Sequence, residues 1–214
     1  MMIPKLQYIS QGNSPKQHLE NIQKACTSGA ELVQLRLKNV LEKKYLKIAL
    51  EAREITAHFQ TRLLINDHYK IAKEVKADGV HLGQTDACPT DARNYLYSWQ
   101  IIGVTANTIQ DCERVLAKKV DYISLGPFRG TTTKNNIPAV LGLNGYTAIL
   151  EALKTDTPIF AVGGITIADV PELLTAGISG LVVSEEITRN FDCIKTFNQL
   201  LNASSTAEQR YTFK

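Results

Sequence analysis

The chain has 214 residues, 44% of them hydrophobic, enough to bury a full core as one domain without requiring a second. A formal charge of +3, from 24 Lys and Arg against 21 Asp and Glu, lacks the concentrated basic character of a nucleic-acid binder. The four cysteines have no paired spacing and no apolar run is long enough for a signal h-region or a membrane span, so the expectation is a soluble cytoplasmic protein with reduced thiols and neither nucleic-acid nor membrane partners.

Taken in order, Leu6 to Ser10 reads as a short strand, and Gly12, Asn13 and Pro15 break the chain before a helix with Leu19, Ile22, Ala25 and Cys26 on one face. Leu32 to Lys38 alternates as a strand, with Gln34, Arg36 and Lys38 on one side. A helix from Glu42 to about His58 leads to the stretch RLLINDHYKIAKEVKADGVHLGQTD, residues 62 to 86. It contains a strand ending at Asn66 and Asp67, a helix through Tyr69, Ile71, Ala72 and Val75, and a strand at Gly79 to Leu82 followed by Asp86. Pro89 can open the next helix, Gln100 to Ala106 is a fifth strand, and Asn107 to Lys118 a helix. Tyr122 to Phe128 is a sixth strand running into RGTTTKNNIPAVLG, a loop with neither helical nor strand periodicity. Helix Asn144 to Leu153, strand Pro158 to Gly164, a helix opened by Thr166, strand Gly180 to Ser184 and helix Thr188 to Asn202 complete the pattern. Residues 203 to 214 read as a polar, loose tail beyond a catalytic domain of residues 1 to 202.

Eight successive strand and helix pairs predict a single (β/α)8 TIM barrel, whose active site is built at the C-terminal ends of the strands. The residues just past the apolar runs are Gln34, Arg36 and Lys38; Asn66 and Asp67; His81, Gln84 and Asp86; Thr105 and Asn107; and Thr131, Thr132, Thr133 and Lys134. Parallel strands would bring Asp67 and Asp86 out on one face, close enough to share a cation. Cations and two carboxylates at one rim suit a polyphosphate bound through Mg2+, which takes one or two carboxylates and completes its shell with phosphate oxygens and water. Each aspartate could instead cap the helix that follows it, and His81 could be structural rather than catalytic. The AVGGIT and LVVSEE ends, with Gly164, Val183 and Ser184, suggest a second phosphate site after strands seven and eight.

LVQLRLK, LLIND, ADGVHLGQTD, IIGVTANT, DYISLGPFRGTTTK, IFAVGGIT and GLVVS stand in order along residues 6 to 202, and through them the chain resembles the thiamine phosphate synthase family. The resemblance implies a transferase of thiamine biosynthesis that joins a pyrimidine diphosphate to a thiazole phosphate and releases pyrophosphate. Gln34, Arg36, Lys38, Asn66, Thr105, Lys134 and His81 would then hold the pyrimidine diphosphate, and Arg36, Lys38, Thr105 and Lys134 would assist departure of pyrophosphate. Asp67 and Asp86 would bind Mg2+, and Thr131, Thr132, Thr133, Gly164, Val183 and Ser184 would meet the thiazole phosphate. The C–O bond to pyrophosphate would break first, leaving a pyrimidine-stabilised cation, so no side-chain nucleophile is required.

Some positions depart from the family's usual pattern: Leu37 replaces a glutamate, Thr105 a serine, Arg129 and Gly130 bulkier loop residues, and Glu185 and Glu186 smaller ones. A thiazole tautomerase paralogue would not need Asp67, Asp86, Arg36 and Lys134, and a non-catalytic ligand-binding paralogue would not turn over. The sequence leaves a homo-oligomer open.

Overall fold

Short apolar strands alternating with helices can bury both faces of a parallel sheet, provided the sheet closes on itself. The computed structural model describes residues 2–130 and 139–211, with side chains through Asn202. Its strands are β1 (Leu6–Ile9), β2 (Leu32–Leu35), β3 (Arg62–Asn66), β4 (Gly79–Leu82), β5 (Ile101–Ala106), β6 (Tyr122–Leu125), β7 (Ile159–Val162) and β8 (Gly180–Val183). They pair in parallel in chain order and β1 closes on β8, giving the (β/α)8 barrel. The helices are α1 (Pro15–Thr27), α2 (Glu42–His58), α3 (Tyr69–Glu74), α4 (Pro89–Tyr95), α5 (Ile109–Leu116), α6 (Gly142–Ala152), α7 (Val170–Thr175), α8 (Glu185–Arg189) and α9 (Cys193–Tyr211).

Strand periodicity divides the core in two. Outward residues such as Leu35, Ile65, Val80, Leu125 and Leu181 pack under the helices, while Leu32, Leu64, Ile101, Tyr122, Phe160 and Val182 fill the barrel interior. Tyr122 needs unusual room. A Cβ at Gly103 on the neighbouring strand would fall 2.0 Å from its ring, so Gly103→Ala is expected to destabilise the fold by about 3 kcal/mol, read as a lowered denaturant midpoint at unchanged slope.

Three boundaries differ from the periodicity. β2 stops at Leu35, where pairing with β3 ends, so Arg36 and Lys38 stand in the loop beyond it. β6 stops at Leu125, before the cis Gly126–Pro127 peptide, because Pro127 has no N–H to donate. The expected last helix is divided: α8 ends at Arg189, and α9 starts at Cys193 and continues to Tyr211, into the segment expected to be loose. No helix among the described residues is long and apolar enough to cross a membrane.

Candidate active site

The C-terminal ends of the strands form one rim, and a cavity of about 250 Å3 opens there between β1, β2 and the ends of β5 to β8. Arg36, Thr105, Gly164, Val183 and Ser184 all line it. Gly163 and Gly164 carry β7 into the cavity wall at φ +102° and +64°, a region open to glycine. A Cβ at Gly164 would also meet that of Arg129 at 2.9 Å. Ser184 donates its hydroxyl proton to the Ile9 carbonyl at 3.0 Å, which ties β8 to β1.

Beside this cavity lies a groove lined by Lys38, Asn66 and Asp67, and Asp86 lines a second one with Gln84 and Thr105. Thr105 therefore borders both the main cavity and the Asp86 side. Burial raises the Asp67 carboxyl above the usual carboxylate range, and the charge of Asp86 raises it further, against a smaller opposing effect of His68. The charge of Asp86 thus reaches the Asp67 carboxyl.

The capping alternative does not hold. The residue before α3 is His68 and the one before α4 is Cys88, and neither helix has a side-chain cap bond. Asp86 instead accepts the Gly83 N–H at 2.6 Å, folding its carboxylate over its own loop. Asp67 sits at φ +67°, held by its N–H to the His81 carbonyl at 2.8 Å.

Arg36 is largely buried, which lowers its pKa, while Tyr45 and then Asp86 pull it back up. Its charge also contributes, after burial, to lowering that of Lys38. Among the described residues its guanidinium closes no ion pair, and Arg36 lines the cavity. Gln34 is buried below the rim and donates to Asn66 Oδ1 at 2.8 Å. His81, also buried, meets Thr105 Oγ1 through Nε2 at 2.9 Å and the Tyr122 hydroxyl through Nδ1 at 2.9 Å. Thr131, Thr132, Thr133 and Lys134 lie outside the described residues.

One charged cavity residue was not singled out by the sequence. Arg189 lines the wall with Glu185 and Glu186, and pairs with Glu185. The spacing in EEITR, an acid four residues before an arginine on one helix, is the signal that carries it. Asn107 also lines the cavity and donates to the Gly126 carbonyl. Arg129 serves the scaffold: it binds both carboxylate oxygens of Asp169, each at 2.5 Å, and Asp169 closes the capping box with Thr166.

A closed parallel barrel that gathers cations, carboxylates and a glycine turn at the C-terminal rim is a phosphate-handling (β/α)8 architecture. Within that class, the chain belongs to the thiamine monophosphate synthase family, whose model matches residues 6–187. The chain is 41% identical over 204 residues to a thiamine-phosphate synthase of Flavobacterium johnsoniae, covering 94% of this chain and 96% of that one. A thiamine-phosphate synthase of Bacteroides thetaiotaomicron is 38% identical over 200 residues, covering 92% and 96%. Among solved structures, thiamine phosphate pyrophosphorylase from Pyrococcus furiosus superimposes with a TM-score of 0.77 at 26% identity, covering 94% of each chain.

Proposed function

We propose that this chain is a Mg2+-dependent transferase joining 4-amino-2-methyl-5-(diphosphooxymethyl)pyrimidine to 4-methyl-5-(2-phosphooxyethyl)thiazole, giving thiamine phosphate and pyrophosphate. The observation that carries this reading is that the charge of Asp86 reaches Asp67, that neither acid caps a helix, and that each borders a groove beside the main cavity. A half-buried carboxylate whose ionisation is made costlier by burial and by a second carboxylate nearby is a site in want of a cation. No cluster of three or more His, Cys, Asp or Glu surrounds them among the described residues. A two-carboxylate oxygen site fits Mg2+, which fills its remaining positions with water and phosphate oxygens, better than a closed nitrogen and sulfur site for zinc.

In this reading Arg36 and Lys38 hold the diphosphate, Arg36 with the fork that matches phosphate oxygens. Thr105 stands between the diphosphate side and the cavity, which takes the thiazole phosphate along Gly164, Val183 and Ser184. The C–O bond breaks with both electrons going to pyrophosphate, and the thiazole nitrogen then supplies the pair for the new C–N bond to the pyrimidine methylene. Mg2+, held by Asp67 and Asp86, supplies charge neutralisation of the departing pyrophosphate. The protein's own part is to hold two substrates in line and to place fixed donors where negative charge grows. The glutamates in the wall do not oppose this as a bare pair, because Glu185 is engaged by Arg189. Free thiols at Cys26, Cys88, Cys112 and Cys193 support a reducing, cytoplasmic setting.

Purified protein given both substrates and Mg2+ is expected to release one pyrophosphate per thiamine phosphate formed, measured by a coupled pyrophosphate assay. No release with both substrates present would refute the synthase reading, and conversion of the thiazole phosphate alone would favour a tautomerase.

A further inference from the structure

Below the rim, polar side chains cross the barrel interior where apolar packing would be expected. Gln7, which no motif singled out, is fully buried on β1 and donates through Nε2 to Gln34 Oε1 at 2.6 Å. Gln34 Nε2 passes the polarity on to Asn66 Oδ1 at 2.8 Å. In the other direction the Gln7 amide donates to the Tyr122 oxygen, and Tyr122 meets His81 Nδ1 at 2.9 Å. His81 Nε2 then meets Thr105 Oγ1 at 2.9 Å. Two arms thus leave one amide, one ending at Asn66 and the other at Thr105, and both end residues line openings of the proposed site.

The amide orientations of Gln7 and Gln34 set one direction of donation along the chain. With one Nε2 hydrogen on Gln34 Oε1 and the other on Tyr122, Gln7 leaves its own Oε1 buried with no partner among the described residues. Rotating the Gln7 amide alone would set its carbonyl against the Gln34 carbonyl, acceptor against acceptor; the reversed chain needs the Gln7, Gln34 and Asn66 amides turned together, and it carries the opposite His81 tautomer. Tyr122, fully buried and accepting from Gln7, has its own proton to give, and burial holds that proton on by raising the phenol above its usual pKa. Given to His81 Nδ1, it leaves the ring proton on Nε2, which donates to Thr105 Oγ1. The Thr105 hydroxyl proton is then released toward the cavity, just as the Asn66 amide N–H groups are left to face their groove.

We propose that Gln7 and Tyr122 are positioning residues that polarise this chain, so that Thr105 and Asn66 present donors and never acceptors to an anionic ligand at the rim. The ligand class is a diphosphate, and in this respect the inference rests on the synthase reading. An acceptor oxygen turned toward a diphosphate repels it, so fixing the direction of the chain in advance removes the unproductive arrangement.

The test begins with the proton itself. In full-length protein labelled with 15N-histidine, His81, assigned by the signal lost in His81→Asn, is expected as the Nε2–H tautomer. The second arm is a double-mutant cycle. Tyr122→Phe keeps the ring and removes the hydroxyl, and is expected to lower kcat/KM for the pyrimidine diphosphate about tenfold when Thr105 is present. In a Thr105→Val background the same change is expected to cost less than about twofold, because its effect has no path to the ligand. A merely structural role would give equal losses in both backgrounds. An Nδ1–H tautomer, or equal losses, overturns the proposal. The tautomer needs no turnover, so absence of pyrophosphate release would sink the synthase reading while leaving the polarity of the chain decided by the spectrum.

Discussion

Asp67→Asn and Asp86→Asn are each expected to lower kcat by about a thousandfold, the scale of several kcal/mol of charge stabilisation supplied through a bound metal. Both variants should fold. Asp67 occupies a left-handed backbone position that asparagine adopts as readily, and an asparagine at position 86 still offers an oxygen to the Gly83 N–H. The sign of the stability effect follows from the raised Asp67 carboxyl. A carboxyl whose pKa is higher in the fold than in the unfolded chain binds its proton more tightly in the native state. Its ionised form therefore weakens the fold above that pKa, and the loss is relieved as pH falls through it. Without metal, Asp67→Asn should melt at or above the wild-type temperature at neutral pH, and the gap should close as pH is lowered through the carboxylate range. Added Mg2+ should raise the melting temperature of the wild type and of neither variant. Unfolding of both variants would return the two aspartates to a structural role.

Arg36→Ala is expected to lower kcat/KM by about a hundredfold to a thousandfold, the range for losing one preorganised donor group at a developing charge. Arg36→Lys should recover only part of it, since an ammonium restores the charge but not the fork. Neither change should cost much stability. The Arg36 backbone N–H, not its side chain, is what binds Ser10 Oγ at 3.1 Å, and a largely buried guanidinium without an ion partner among the described residues is itself unfavourable to the fold. Steady-state kinetics with the pyrimidine diphosphate varied, together with a thermal melt, separate the two effects. An Arg36→Ala enzyme with unchanged kcat/KM would remove Arg36 from the diphosphate site.

The barrel was legible because each strand is a short, largely apolar run and each helix is apolar on one face, so runs such as RLLIN and GVHL stand out between amphipathic segments. Its edges were less so. Where Arg36 leaves the sheet depends on how far β3 follows β2, a property of register between strands that alternation within LVQLRLK does not contain. The rim residues were legible for a related reason: Arg36, Asp67 and Asp86 are charges directly after apolar runs, where a barrel puts its chemistry. Gln7 and Tyr122 were not. They stand inside LQYI and YISL, on strands one and six, and their meeting is a crossing of the closed barrel interior that no local spacing encodes. The same holds for the neighbourhood of Asp67 and Asp86, in which sequence suggested a shared face but could not remove the caps. The loop residues did that, by placing His68 and Cys88 before the helices.

On the proposed function, Asp67 and Asp86 hold one cation in front of a diphosphate. A crystal structure of the protein with Mg2+ and pyrophosphate tests it most directly. The expected result is a single ion with an oxygen of each carboxylate at about 2.0–2.1 Å and pyrophosphate oxygens completing its shell, with the Arg36 guanidinium on the pyrophosphate. Pyrophosphate bound at this rim with both carboxylates turned away from any ion would contradict it.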